Sequence, residues 1–416
     1  MAWQLDNRVP KTTCIRSFLE NLPKASAEFL FVAAACHWPA RAGFLEHLAS
    51  TQSLHWPRVL AIIDKHRVAG MVASSLAESG GISLPDDIAA ALRKRATKIA
   101  LFAAANAREA AALTAELQRH TINAAVLKGV VLSAQAYGKL TVRHQKDIDL
   151  LVAPHDAFSA HSVLTSRGYL FEGATDSPPP NERYMRHAKH LAYLHQTTGM
   201  RIDLHWRLYD NPFLGPKHYP AERWQTVDLG FGLQCRTLAT DDLLLYLCAH
   251  GTSHGWSRLK WLADVAALLQ QSPNRMTELS KQAASYRLQR SVTQTFLLLH
   301  TLFGTPLPDD FPAPDWAERR LVETAWDAMI RSHASTELYA ERFASTRIRL
   351  SQFLLSAHPG FLSHQIDTEL FCSETKPENN LSSHLLSPVH RTQSWIVRKL
   401  YNKAPLIPSN TEQKTE

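Results

Sequence analysis

Three aspartates inside apolar, strand-like segments are the residues of this sequence best suited to chemistry. Asp147 and Asp149 lie in the segment 147–152, and Asp203 lies further along the chain in the segment 201–206. Because successive side chains of a β-strand point to opposite faces, Asp147 and Asp149 share one face. Ionised carboxylates this close repel each other unless a cation lies between them, and Mg²⁺ prefers such oxygen ligands. The pattern therefore predicts a Mg²⁺ site for phosphoryl or nucleotidyl transfer, with Mn²⁺ as the alternative ion.

The third aspartate belongs to a predicted β-hairpin. Residues 191–195 form the first strand, Gly199 belongs to the turn, and residues 200–206 form the return strand. In the return strand, Asp203 shares a face with His205. If the hairpin lies beside the strand of the first two aspartates, three carboxylates converge. Three such acids could hold two Mg²⁺ ions roughly 4 Å apart.

These residues also resemble a known family. The chain resembles the DNA polymerase β-like nucleotidyltransferase superfamily and, within it, an uncharacterised bacterial branch whose pattern matches Leu127-Lys128-Gly129, Arg143, 147–152 and 203–206 in that order. The resemblance covers residues from about 50 to about 300. It implies transfer of a nucleoside monophosphate from an NTP, by default ATP, to an unidentified acceptor, with release of pyrophosphate.

The resemblance implies roles for the three acids. Asp147 and Asp149 would hold the metal and the triphosphate, and Asp203 would complete the metal site and assist loss of the acceptor's proton. A plainer interpretation places the first two acids on an exposed strand edge in water. In that interpretation Asp203 is a surface partner of Arg201 or Arg207.

The nucleotide-binding residues implied by the resemblance are Lys128, Gly129 and Arg143. The wider superfamily has a Gly-Ser or Gly-Gly turn where this sequence has Lys128-Gly129. A glycine lets the backbone approach a phosphate, and an ammonium group can neutralise one. Each basic residue has an alternative role. Lys128 either binds a phosphate or is a solvated lysine before a turn. Arg143 either clamps a phosphate or pairs with Asp147.

Histidines give weaker signals. His205 either orders a ligand by hydrogen bonding or packs beside Trp206. His250 and His254 stand four residues apart, a spacing compatible with zinc on a helix. The glycines that follow each of them favour a helix end there instead.

Composition narrows the class of protein. The chain has 416 residues and a net charge of +7, from 45 basic and 38 acidic residues, which mildly favours anionic partners such as nucleotides. Nucleic acid is an unsupported partner, because no RNA-binding motif is visible. The five cysteines are scattered, as expected of a protein in the reducing cytoplasm. The apolar runs are too short to span a bilayer, and the N-terminus does not resemble a signal peptide.

The predicted fold is α+β, with a small mixed β-sheet nucleotidyltransferase core flanked by N- and C-terminal helical regions. One amphipathic helix is expected over 56–76, and a long one from Pro85 to about His120. The proline-rich segment 177–181 is expected to be a loop, and 393–401 a short helix. The predicted regions are an N-terminal helical region (1–120), the core (121–235), a helical region packed on it (236–305), a C-terminal helical region (306–372) and a loosely ordered tail (373–416).

Three alternatives remain at this point. The chain could be a non-catalytic protein of the same fold that binds nucleotides or partners, as an antitoxin-like protein would, although three converging acids have no evident use there. Among enzymes, transfer of a whole phosphate or sugar-phosphate group would use the same acids. Addition of a nucleotide to an RNA end is a further alternative.

Overall fold

The computed structural model describes residues 13–172, 185, 188–272, 274–331 and 342–371. Helices precede and follow a five-stranded mixed sheet, and a two-stranded sheet lies against it. The predicted α+β fold with helical flanks is therefore confirmed. The proline-rich segment 177–181, the tail from 373 and the segment 393–401 lie outside the described residues.

The helices before the sheet build the N-terminal flank. The last of them begins after Pro85 and has two acids in its first turn, which suit the positive end of a helix dipole. Its many alanines are good helix formers, and its length matches the prediction. The described helices are α1 (Thr13–Glu20), α2 (Ala27–Ala35), α3 (Ala42–Thr51), α4 (Trp56–His66), α5 (Ala69–Ser79) and α6 (Asp86–Arg119).

The prediction of a single helix over 56–76 is wrong, because the helix is interrupted between α4 and α5. Arg67 adopts a left-handed conformation, with φ 56° and ψ 46°, and its N–H bonds back to the end of α4. Such a residue ends a helix. The break brings Gly70 of α5 against the backbone of Val142, where a Cβ on the glycine would lie 2.4 Å from the carbonyl oxygen. Val142 directly precedes Arg143, so the break positions a loop that leads to the aspartates.

The five-stranded sheet has the order β1-β2-β5-β4-β3. β2 pairs antiparallel with β1 and parallel with β5, and β4 pairs antiparallel with β5 and with β3. β4 and β5 form the predicted hairpin, in which Gly199 has a φ of 68°. The strands are β1 (Ala124–Val126), β2 (Ile148–Val152), β3 (Tyr169–Phe171), β4 (His190–His195) and β5 (Arg201–His205).

The two faces of this sheet differ in chemistry. Ile148 and Leu150 of β2 and Leu204 of β5 are buried in a core that also contains residues of α6. The alternate residues of the same strands, among them Asp149 and Asp203, therefore lie on the opposite face. The sequence pattern predicted this alternation.

Helices that follow the sheet pack near the face that carries the aspartates, where Leu151 of β2 belongs to their hydrophobic core. Two further helices lie between the strands, α7 (Val130–Tyr137) and α8 (Ala157–Ser166). After the sheet come α9 (Thr240–Ser253), α10 (Leu259–Gln270), α11 (Arg275–Ser285), α12 (Gln289–Phe303), α13 (Trp316–Ile330), α14 (Arg342–Ser351) and α15 (Pro359–Phe371). An unpredicted hairpin of β6 (Gln225–Gly230) and β7 (Leu233–Thr237) contacts β1 and α7. No described helix has both the length and the apolar character needed to cross a bilayer.

Candidate active site

Two neighbouring strands place two carboxylates side by side. β2 and β5 run parallel, and their register pairs Asp149 directly with Asp203. His205 follows two residues later on the same face of β5. One ligand atom from each of these three side chains lies within 4.8 Å of the other two. Asp149 is 3% exposed and Asp203 is partly buried. The structure therefore brings Asp149 and Asp203 together, and it adds His205 to them.

Asp149 is held by two nitrogen groups. The Lys128 Nζ lies 2.9 Å from Asp149 Oδ1, and His205 Nε2 lies 3.2 Å from the same oxygen. Burial raises the pKa of Asp149, but the Lys128 charge and the His205 hydrogen bond outweigh burial and hold that pKa below its usual value. Asp149 is therefore an ionised carboxylate whose position is fixed by its neighbours.

The other two acids carry more negative charge than their surroundings neutralise. Burial, Asp149 and Asp147 raise the pKa of Asp203 to about 7. The Lys128 charge lowers this pKa but offsets only part of the rise. Burial and Asp149 likewise raise the pKa of Asp147. Asp147 directly precedes β2 and is not one of the three side chains that lie within 4.8 Å of one another, although its charge acts on Asp203. Crowded oxygen ligands short of positive charge fit a hard divalent cation such as Mg²⁺.

Lys128 and Gly129 form the turn between β1 and α7. The side chain of Lys128 is 14% exposed, and its Nζ lies 5.9 Å from the centre of the Tyr246 ring on α9. Burial lowers the pKa of Lys128, but Asp149, Tyr246 and Asp147 raise it above its ordinary value. A solvated surface lysine, the alternative left open by the sequence, does not describe this residue.

The positive φ of Gly129, 67°, explains why a glycine occupies this turn. A Cβ at this position would also lie 2.8 Å from the Oε1 atom of Gln145 and 3.7 Å from the carbonyl oxygen of Asp147. The backbone of the turn is thus in close contact with the residues that lead into β2.

The contacts of Arg143 differ from one of the two sequence-based alternatives, the pair with Asp147. Its Nε lies 3.0 and 2.9 Å from the two carboxylate oxygens of Asp264 on α10, and both residues are buried. Tyr137 of α7 donates a further hydrogen bond, of 2.9 Å, to Asp264. Arg143 therefore joins the loop before β2 to α10 and does not pair with Asp147. Its charge still acts on Asp147, whose pKa it helps to lower.

The same loop contains buried polar groups that the sequence did not single out. Gln145 is 7% exposed, and neither amide atom has a hydrogen-bond partner among the described residues. Lys260 of α10 is also 7% exposed, and its Nζ donates to the carbonyl oxygen of His144 at 3.3 Å. The burial of Lys260 depends on a contact with a residue distant in sequence, which no local pattern predicts.

His250 and His254 belong to an aromatic cluster on α9 and α10. Their ring centroids lie 4.7 Å apart, and both rings pack against Trp261, at 5.4 and 5.2 Å. Burial lowers the pKa of His254 to about 4. Within the described ranges neither histidine belongs to a group of three metal-ligating side chains. The spacing thus reflects ring packing, and α9 continues through Gly251 to Ser253.

Comparison with known proteins identifies the family. No curated protein matches the chain in a sequence search. The sequence model of one family, described as "Uncharacterised nucleotidyltransferase", matches residues 52–304, which is more than half of the chain. The matched residues include both sheets, the paired aspartates and the helices from α4 to α12. The chain therefore belongs to this family of uncharacterised nucleotidyltransferases.

Proposed function

We propose that this protein is a Mg²⁺-dependent enzyme of the DNA polymerase β-like superfamily that transfers a nucleoside monophosphate from an NTP to an acceptor and releases pyrophosphate. The observation that carries the proposal is the parallel register of Asp149 and Asp203, which places both carboxylates on the same face of the sheet. The nearby positive charge is too small to neutralise them, as the raised pKa of Asp203 indicates. ATP is the default donor, and the acceptor is unidentified.

Asp147, Asp149 and Asp203 are the residues that would hold the metal. When bound there, Mg²⁺ would polarise the phosphate oxygens and favour loss of the acceptor's proton. His205 keeps Asp149 in place by donating from Nε2 to Oδ1. Burial lowers the pKa of His205, which favours the neutral ring, and the neutral ring makes this hydrogen bond with its proton on Nε2.

The chain's own residues divide the remaining work. Asp203 accepts the proton of the acceptor hydroxyl as the acceptor oxygen bonds to the α-phosphorus. The bond from the α-phosphorus to the bridging oxygen breaks, and pyrophosphate leaves with that oxygen. Lys128 offsets the negative charge on the phosphates, and the Gly129 backbone lets them come close.

The test is transfer of label from each α-³²P-labelled NTP to a cell lysate, with Mg²⁺ or Mn²⁺. We expect wild-type protein to transfer label and Asp149→Asn to lose at least about a hundredfold in rate, because a group placed to stabilise the transition state is worth about this much. The matched control is Asp310→Asn, which removes an exposed acid far along the chain from β2 and β5.

Three results would contradict the proposal. Normal turnover by Asp149→Asn would refute the metal assignment. Transfer from γ-labelled but not α-labelled ATP would indicate phosphate transfer instead. Absence of both transfer and metal-dependent NTP binding would favour the non-catalytic protein.

A further inference from the structure

We propose that Lys260 and Gln145 form a polyphosphate-binding subsite beside Asp147, which holds the β- and γ-phosphates of the nucleotide. The inference rests on the proposed function and extends it to residues outside the sequence motifs. It depends on two buried polar side chains, one from α10 and one from the loop before β2, which meet at the backbone of His144.

Lys260 is a buried lysine that forms no ion pair with a carboxylate among the described residues. Its only hydrogen bond among the described residues is the one that Nζ donates to the His144 carbonyl oxygen at 3.3 Å, and it forms no ion pair there. Burial and the neighbouring Arg143 lower the pKa of Lys260 well below its ordinary value. A lone buried ammonium is costly, so its presence beside the acids requires an explanation.

The neighbouring cations are already paired. Lys128 lies 2.9 Å from Asp149, and Arg143 lies 2.9 Å from Asp264. Lys189, which directly precedes β4, lies 2.8 Å from Asp210. Lys128, Lys189 and Lys260 come from three different parts of the fold, yet each lowers the pKa of His250, after burial. A cluster of this kind attracts a polyanion, and Lys260 is the member that forms no close ion pair with an acid in the described part of the chain, although Asp264 and Asp147 act on its pKa from a distance.

Gln145 supplies the second, independent observation. It is 7% exposed, both amide atoms lack partners in the described part of the chain, and its Oε1 lies against Gly129. A buried polar group without a partner is costly, and native proteins retain few of them. A phosphate oxygen would accept a hydrogen bond from the amide nitrogen. The position of Gln145, between the Gly129 turn and Asp147, is where a phosphate held by that turn would be within reach.

A purely structural role for Lys260 makes the opposite prediction about stability. If the lysine served only to hold the His144 carbonyl, its removal would destabilise the fold and leave anion binding unchanged. If it serves to bind phosphate, Lys260→Met keeps the length and apolar stem of the side chain and removes the buried charge. We then expect weaker phosphate binding and an unchanged or higher melting temperature.

The experiment measures binding of inorganic tripolyphosphate, with Mg²⁺, to the full chain by isothermal titration calorimetry. We expect Lys260→Met to lower the affinity by about tenfold or more and Gln145→Met by about threefold, because charge-assisted hydrogen bonds are roughly twice as strong as neutral ones. Lys139→Met is the matched control, since Lys139 is an exposed lysine that pairs with Glu78. It should bind tripolyphosphate like the wild type.

The outcomes separate this inference from the proposed function. Wild-type affinity in both Lys260→Met and Gln145→Met would overturn the subsite, whether or not the enzyme transfers nucleotides. An equal loss in Lys139→Met would also overturn it, because net charge alone would then explain the effect. If Lys260→Met does not fold, Gln145→Met alone decides. Tripolyphosphate binding that depends on Lys260, together with no transfer of α-label, would refute the proposed function and leave the subsite standing.

Discussion

At the scale of single residues, the raised pKa of Asp203 shows that the site has too little positive charge for its carboxylates. The carboxyl group of Asp203 lies beside Asp149 in the strand register and is partly buried. Burial and the other two acids raise its pKa from 3.8 to about 7. Between these two pH values the folded state binds more protons than the unfolded state, so the free energy of unfolding falls as the pH rises.

We therefore predict that Asp203→Asn stabilises the protein in EDTA. The gain should be absent near pH 4, grow as the pH rises, and reach about 4 kcal/mol above pH 7, where the wild-type carboxyl would ionise beside its neighbours. Urea unfolding between pH 4.5 and 8 measures it. With saturating Mg²⁺ the order should reverse, because the cation then stabilises the wild type alone. A constant difference at every pH would contradict the charge argument.

His205 should matter through the position of Asp149. We predict that His205→Phe, which retains the packing of the ring, reduces nucleotidyl transfer by about tenfold to a hundredfold, because partners of metal-binding carboxylates typically contribute this much. The KM for NTP should change less than kcat if Asp149 stays in place but loses its fixed orientation. His155→Phe, an exposed histidine, is the control. Equal loss in both variants would argue against a specific role.

At the scale of elements, one buried ion pair joins the loop before β2 to α10. Arg143 and Asp264 are almost completely buried and make two nitrogen–oxygen contacts near 3 Å. The pair fixes the loop whose end carries Asp147. Removing one partner leaves a buried charge without compensation, whereas removing both can be close to neutral.

We predict that Arg143→Met lowers the free energy of unfolding by about 3–5 kcal/mol, and that the double variant Arg143→Met/Asp264→Leu recovers most of it. Chemical denaturation of the two variants and the wild type tests this. If Arg143 also contacts phosphate directly, the double variant should fold well but bind tripolyphosphate weakly. If the double variant is no more stable than Arg143→Met, the loop depends on the specific contacts of this pair, and an uncompensated buried charge does not explain the loss of stability.

The strands that hold the acids could be predicted because their signal is local. Alternation of polar and apolar residues defined β2, β4 and β5, and a glycine marked the turn of the hairpin. The break between α4 and α5 could not be predicted in this way, because Arg67 is neither a glycine nor a proline. The role of Arg143 depends on Asp264, and that of Lys260 on His144, each more than a hundred residues apart. Contacts of that range leave no periodic pattern in one sequence.

At the scale of the whole molecule, the two helical flanks share one hydrophobic core. Buried residues of α2, α4 and α5 belong to the same cluster as buried residues of α9 to α13. Polar contacts join the flanks as well, since Trp326 of α13 donates to the Pro23 carbonyl and Lys65 of α4 donates to the carbonyls of Ala328 and Met329. The predicted boundaries at 120, 235 and 305 remain predictions for the chain, and the segments they separate pack together.

We predict that a chain ending at residue 305 does not fold to the stability of the whole. Without α13 the apolar residues against which Leu321, Val322 and Met329 pack become exposed. Losing three buried side chains of this size costs several kcal/mol, about 1.5–3 kcal/mol each. Differential scanning calorimetry and binding of a hydrophobic dye compare the two chains. Equal melting temperatures would show that residues 1–305 form an independent unit.

The contact between Gly70 and Val142 makes one position in a distant helix a candidate for conditional genetics. A methyl group at residue 70 would lie 2.4 Å from the Val142 carbonyl oxygen. Because this oxygen belongs to the backbone, the clash cannot be relieved by moving a side chain. Gly70→Ala would therefore push α5 away from the loop that precedes β2. An allele of this kind would tolerate low temperature and fail on warming, so cells carrying it could be depleted of the activity at will. Under the proposed function, the acceptor would then accumulate without its nucleotide.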